Sequence, residues 1–167
     1  MPRSRYPGCT GFVCNVAMPG AHRIPILLAV LMLAAGCASG PAKNETAEQA
    51  SDIAASMVGK PYRYGGNNPG KGFDCSGLVQ YSYNRAGIKN VSRTTDSQRQ
   101  QTRKVSLSSI TRGDLVFFNQ EGKFASHVGI YLGNNRFVHA PSSGKNVRID
   151  SFDAPYWQKH LVDARRF

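Results

Sequence analysis

At Gln101 the hydrophobic pattern of this chain changes period, and that change bounds the fold more tightly than any other feature. Before it, apolar residues recur at helical spacing: Ala50, Ile53, Ala54, Met57 and Val58 fall within 45–58, and Gly59 with Pro61 supplies a stop. A Gly-rich stretch from Tyr62 to Gly72 leads into a second helical pattern from Asp74 to Ala86, which presents Leu78, Val79 and Tyr83 and is closed by Gly87. Thr95-Asp96-Ser97-Gln98 has the spacing of a capping box and predicts a short third helix. After Gln101 come short β-rich runs between turn residues, at 115–118, 127–132, 136–140, 147–150 and 161–165. Helices first and strands afterwards predict an α+β domain whose N-terminal helices pack on one side of a C-terminal antiparallel β-sheet. There is no internal repeat, and 167 residues, 41% of them hydrophobic, suffice for one ordinary core.

The first forty residues stand apart. From Ile24 to Gly36 the chain is uncharged and mostly apolar behind Arg23. That run is shorter than the ~20 residues needed to span a bilayer, and its small-residue end gives it the form of a secretory signal. Ala34-Ala35-Gly36-Cys37 resembles the bacterial lipoprotein signal, in which the cysteine is acylated and the chain is cut just before it, although such boxes usually carry Leu where this one has Ala34. Residues 1–36 are therefore expected to be a signal peptide, 37–44 the lipidated Cys37 and a tether, and 45–167 the working domain. Met18-Pro19-Gly20-Ala21-His22-Arg23 is a sufficient n-region by itself, so Met18 is an alternative start; Cys9 and Cys14 would then never exist in the protein. The expected location is the cell envelope, on the outer membrane facing the periplasm in a two-membrane source.

Charge narrows the partners. The chain carries 21 Lys and Arg against 10 Asp and Glu. Three of the basic residues precede Cys37 and none of the acidic ones does, so the exported part retains a net +8. Such an excess favours anionic partners. The basic residues are scattered and the chain is exported, which argues against nucleic acid and leaves membrane surface and cell-wall polymer.

Removal of the leader and acylation of Cys37 leave Cys75 as the single thiol, which is unusual in an exported protein. It lies in Asp74-Cys75-Ser76-Gly77, where the second helix should begin with Asp74 as its cap. The free amides and positive dipole end of a helix favour thiolate over thiol, so this is where a nucleophile is expected. A nucleophile needs a base and something to orient the base. His127 and His139 lie on predicted strands joined by a hairpin. A three-residue loop, Gly133-Asn134-Asn135, pairs Leu132 with Arg136, sets His139 opposite Gly129 and leaves both histidines on one face, with Gly129 giving an imidazole room to reach its partner. A two-residue Asn-Asn loop sends them to opposite faces. The chemistry predicts the odd-length loop. A metal site drawn from Cys75, His127, His139 and Asp114 lacks the close ligand spacing of a zinc motif, so no metal or cofactor is expected.

Phe73-Asp74-Cys75-Ser76-Gly77-Leu78-Val79, Gly113-Asp114-Leu115-Val116-Phe117-Phe118, Ser126-His127-Val128-Gly129-Ile130-Tyr131 and Phe137-Val138-His139-Ala140 resemble, in that order, the motifs of the NlpC-type cell-wall cysteine peptidases. The resemblance runs from about Ala47 to the C-terminus. It implies a papain-like α+β fold and a monomeric peptidase that cuts peptidoglycan peptides, with Cys75 as nucleophile, His127 as general base and His139 as the residue that orients it. Pro61-Tyr62-Arg63-Tyr64-Gly65-Gly66 resembles the segment that places a tyrosine beside the nucleophile, with Tyr62 favoured over Tyr64 as an oxyanion donor alongside the Cys75 amide. Ser76 and Arg93 match positions implied to contact substrate. The tail from Pro155 to Arg166 resembles that of single-domain lipoprotein endopeptidases that open D-alanine to diaminopimelate cross-links, rather than cutting within a stem. The alternatives are an acyl or amide transferase on the same fold and a non-catalytic wall-binding lipoprotein. Export to the wall favours hydrolysis over transfer, and the intact Cys75, His127 and His139 set argues against a pure binder.

Overall fold

The structure is a computed structural model and describes residues 43–167. The expected signal peptide, Cys37 and the tether up to Pro41 lie outside the described residues, as does residue 42. Helix α1 (Lys43–Ala55) buries Ala50 and Ala54, as their spacing demands. It stops short of Val58 because the amides of Met57 and Val58 bond only three residues back, to the carbonyls of Ala54 and Ala55, and Gly59 then leaves the helix at φ 89°. The next residues are clamped from two sides. The Tyr62 amide donates to the Lys145 carbonyl at 2.8 Å, while the Phe73 amide donates to Pro61 at 3.1 Å and the Arg63 amide to Phe73 at 2.9 Å. Phe73 belongs to β2 (Gly72–Phe73), which pairs with β1 (Asn67–Asn68) as a two-residue ribbon.

Helix α2 (Cys75–Arg85) starts at Asp74, whose carboxylate accepts from the Gly77 amide at 2.7 Å and from the Gly65 amide at 2.8 Å. The Gly66 carbonyl rests directly on this first turn. A Cβ on Gly77 would overlap it, so only glycine lets the loop lie there. Leu78, Val79 and Tyr83 are buried as expected, and the Tyr83 hydroxyl donates to the Gly113 carbonyl. Helix α3 (Thr95–Gln101) is capped by Thr94, one residue earlier than the capping-box spacing implied; its hydroxyl oxygen accepts from the Ser97 amide at 3.3 Å. Gln98 does not complete a box. It is buried and donates at 2.8 Å to the carbonyls of Ser76 and Ser92.

The main sheet has six strands: β3 (Arg103–Val105), β4 (Leu115–Gln120), β5 (Lys123–Gly133), β6 (Arg136–His139), β7 (Arg148–Ser151) and β8 (Leu161–Arg166). Their order is β3-β8-β4-β5-β6-β7, and every neighbouring pair is antiparallel. All five expected strands are present, and the α+β class holds. The unexpected strand β3, Arg-Lys-Val, is too short and polar to declare itself and is held on the edge by β8. Helices α1 and α2 cover one face of the sheet, over Leu115, Phe117, Val128 and Ile130. The expectation of helices on one side only is incomplete. A short helix α4 (Pro155–His160) brings Trp157 to the opposite face, over Val116, Phe118 and Phe137. Six residues with one buried apolar side chain carry no readable period.

The β5–β6 hairpin combines the two loops considered. Asn134 and Asn135 form a two-residue turn, both at positive φ (50° and 56°), as a type I′ hairpin requires, and Gly133 pairs with Arg136. One residue further in, the register shifts, and Tyr131 pairs with Phe137 and Ile130 with Val138. Gly133, at φ 88°, absorbs the odd residue as a bulge. The strand body thus has the register that sets His139 opposite Gly129. The space above Gly129 is filled by the Phe137 ring, not by an imidazole.

Phe118 is fully buried between Phe137 (ring centroids 4.9 Å) and Trp157 (4.8 Å). Phe118→Ala is expected to lower unfolding free energy in urea by about 3–5 kcal/mol. Phe124→Ala, on a ring that is 69% exposed, should change it by less than about 0.5 kcal/mol.

Candidate active site

Cys75 is the first residue of α2, and its sulfur faces a cleft of about 550 Å³ that His127 also lines. The Thr95 hydroxyl lies 3.7 Å from the sulfur, and the backbone amides of Val128 and Ser76 also point at it. These donors lower the thiol pKa, but burial outweighs them and holds it above its ordinary value. This burial works against the readily formed thiolate expected from the sequence. The helix N-terminus supplies donors for a charge that burial and the neighbouring Asp74 carboxylate oppose.

His127 and His139 are buried, at 1% and 0% exposure, and His127 Nε2 lies 2.8 Å from His139 Nδ1. The bulged hairpin has delivered both rings to one face. Burial lowers the His127 pKa to about 3, with the neighbouring His139 adding to the effect, so it is a neutral base at working pH. Burial also lowers His139, against the pull of Asp150, whose Oδ2 lies 3.0 Å from His139 Nε2. Hydrogen bonds from His139, Arg148 and Trp157 hold the Asp150 carboxyl well below the usual carboxylate range. Trp157 stacks on His127 at 5.7 Å and meets His139 edge-on at 5.0 Å.

The other expected residues also reach the cleft. Tyr62 lines it as a half-buried side chain, close enough to Cys75 for a thiolate there to raise the phenol pKa beyond the effect of burial. Tyr64 lines the same cleft but is 88% exposed. Arg93 is not a merely solvated cation: its guanidinium donates to both Asp74 oxygens (2.9 and 2.7 Å), to Ser76 Oγ (3.0 Å) and to the Gly66 carbonyl (3.3 Å). It pins the cap of α2 to the loop beside it. Asp114, a possible ligand type in the sequence, does not line the cleft and is held by Arg166 at 2.6 and 2.7 Å. Among the described residues no cluster of three His, Cys, Asp or Glu side chains is arranged to hold a metal.

Sequence reasoning missed Asp150 and Trp157. Asp150 was visible only as the end of an edge strand; the usable signal was a carboxylate on the strand expected beside that of His139.

Residues 59–166 match the model of the NlpC/P60 family. The chain is 42% identical over 113 residues to the murein DD-endopeptidase MepH of Escherichia coli (strain K12), covering 66% of this chain and 42% of that protein. It is 47% identical over 110 residues to the bifunctional muramidase/DL-endopeptidase CwlT of Bacillus subtilis (strain 168), covering 65% and 32%. Among solved structures, an NLP/P60-family protein of Staphylococcus aureus, described as similar to lipoprotein, has a TM-score of 0.66 at 38% identity, covering 78% of this chain and 44% of that one. The chain thus spans less than half the length of each of these relatives.

The two histidines also set the acid stability of the fold. Both pKa values are lowered on folding, so below about pH 6.5 the unfolded chain binds protons that the folded chain refuses. Stability is full above that pH and falls below it, by up to about 1.4 kcal/mol per histidine and pH unit. Urea midpoints between pH 7 and 5 should show this decline, and it should be shallower in His127→Gln. A midpoint independent of pH would contradict the assigned neutral pair.

Proposed function

This chain belongs to the NlpC/P60 family, and we propose that it is a peptidoglycan endopeptidase acting through the Cys75 thiol. The observation that carries this reading is the buried 2.8 Å bond between His127 and His139 at the edge of the cleft that holds Cys75. With Nε2 of His127 engaged, Nδ1 is the nitrogen left for the thiol. In the proposed reaction His127 Nδ1 takes the thiol proton as the sulfur attacks the scissile carbonyl carbon. The oxyanion accepts from the Cys75 amide and the Tyr62 hydroxyl. His127 returns the proton to the leaving amine as the C–N bond breaks, and a water deprotonated by the same imidazole then hydrolyses the thioester.

The proposed bond is the D-alanine to diaminopimelate cross-link. MepH is named a DD-endopeptidase, as is the MepS protein of Escherichia coli (strain K12), 44% identical over 115 residues and matched across 60% of its length. CwlT, named a DL-endopeptidase, supports a second reading in which the cut falls within the stem. The leader is proposed to end at Gly36, and acylation of Cys37, the first residue after the cut, to anchor the protein to the membrane.

Mass analysis of digests of defined muropeptides should show monomers released from cross-linked dimers. Products cut within the stem, with dimers left joined, would assign the second reading. Cys75→Ala and His127→Ala should abolish release without unfolding the domain, and His139→Asn should retain more activity than His139→Ala. Tyr62→Phe should cost up to ~2.7–4 kcal/mol of transition-state stabilisation. Cys75→Ala releasing peptides at the wild-type rate would remove the assignment. Detergent-phase partitioning of the exported protein should be lost in Cys37→Ala; unchanged partitioning would refute the anchor.

A further inference from the structure

An imidazole that orients another must itself be held in one tautomer, and the only group bonded to the far nitrogen of His139 among the described residues is Asp150, with Oδ2 at 3.0 Å from Nε2. We propose that Asp150 is a positioning residue which, acting through His139, sets His127 in the tautomer whose Nδ1 lone pair serves the thiol. The proposal rests on the reading of Cys75, His127 and His139 as the reacting set.

Each step of the chain admits one proton arrangement. An ionised carboxylate accepts only, so His139 carries its proton on Nε2. A neutral imidazole protonated there has a bare Nδ1, which also accepts only, so His127 donates from its own Nε2 across the 2.8 Å bond. His127 Nδ1 is then bare. Without the carboxylate, His139 is free to protonate Nδ1 and donate to His127 Nε2. That arrangement leaves His127 Nδ1 protonated and unable to take the thiol proton. Asp150 receives no proton at any step.

Asp150 is unusually well fixed for this role. Its Oδ2 also accepts from Trp157 Nε1 at 2.9 Å and from Arg148 Nη2 and Nε at 2.8 and 3.2 Å. It sits on β7, directly across from Phe137 of β6, so the sheet and not a loop sets its distance to His139. Trp157 contributes twice, bonding the carboxylate and stacking on His127.

The convergence of donors on one oxygen gives an uncommon expectation for the amide variant. In Asp150→Asn the side-chain NH2 cannot occupy the Oδ2 place, where it would face the N–H groups of Arg148 and Trp157. The amide oxygen takes it, and His139 Nε2 still donates. Asp150→Asn should therefore keep His127 Nδ1 bare in imidazole ¹⁵N spectra at neutral pH and keep kcat within about 10-fold of wild type. Asp150→Leu should populate the other tautomer and lose roughly 10²- to 10⁴-fold in kcat, the scale of a misplaced tautomer. A protonated His127 Nδ1 in the wild-type or Asp150→Asn spectrum overturns the proposal even if Asp150→Leu does not fold. A folded Asp150→Leu with wild-type spectrum and rate overturns it equally. The nitrogen spectra do not depend on turnover, so failure of the Cys75 reading would show separately, as activity in Cys75→Ala.

Discussion

One buried hydrogen bond, His127 Nε2 to His139 Nδ1 at 2.8 Å, ties this domain's topology to its chemistry. It forms only if two residues twelve apart on adjacent strands share a face, and that is a matter of parity. A plain two-residue Asn-Asn turn gives the wrong parity. The bulge at Gly133 corrects it, and a left-handed φ of 88° is a conformation glycine adopts without strain. The turn thus gains its favourable geometry at the tip, the strand gains the register its side chains need, and one glycine reconciles them.

Burying two imidazoles works because His127 Nε2 and both ring nitrogens of His139 have partners and the surroundings are packed. Trp157 and Phe137 wall the pair, and Asp150 closes its far end. On the other side of the cleft a second polar cluster does comparable work around Asp74. That carboxylate caps α2, accepts the Gly65 amide and clamps Arg93, so the helix start that carries Cys75 cannot shift independently of the loop that carries Tyr62. Cys75 and His127 are therefore each held through a separate carboxylate, Asp74 and Asp150, on different elements. Burial of the thiol between them raises its pKa more than the Thr95 hydroxyl and the Val128 and Ser76 amides lower it.

Much of this was legible in the sequence, and for physical reasons. Leu78, Val79 and Tyr83 announced α2 because they pack at helical period. Asp74-Cys75 announced its start because a cap must precede the first turn. The strand body register of β5 and β6 followed from requiring the two histidines to meet. The illegible parts are those fixed by tertiary contact alone. Gly133 as a bulge, Thr94 in place of Thr95 as the cap, and Phe137 filling the space over Gly129 each depend on neighbours that no local pattern encodes. Helix α4 has no period to read, so Trp157, and with it the environment of Asp150, came only from the assembled fold. Arg93 reads in the sequence as a substrate contact, and its engagement with Asp74 became visible only in three dimensions.

The central claim is that the thiol of Cys75 is the group that attacks the wall peptide. Graded alkylation of the native protein, with peptide mapping to quantify modification at Cys75 separately from any other cysteine, tests it most directly when turnover of a cross-linked muropeptide is measured on the same samples. Residual turnover should equal the fraction of Cys75 left unmodified, falling to zero at full modification. Turnover that persists with Cys75 fully alkylated would contradict the account.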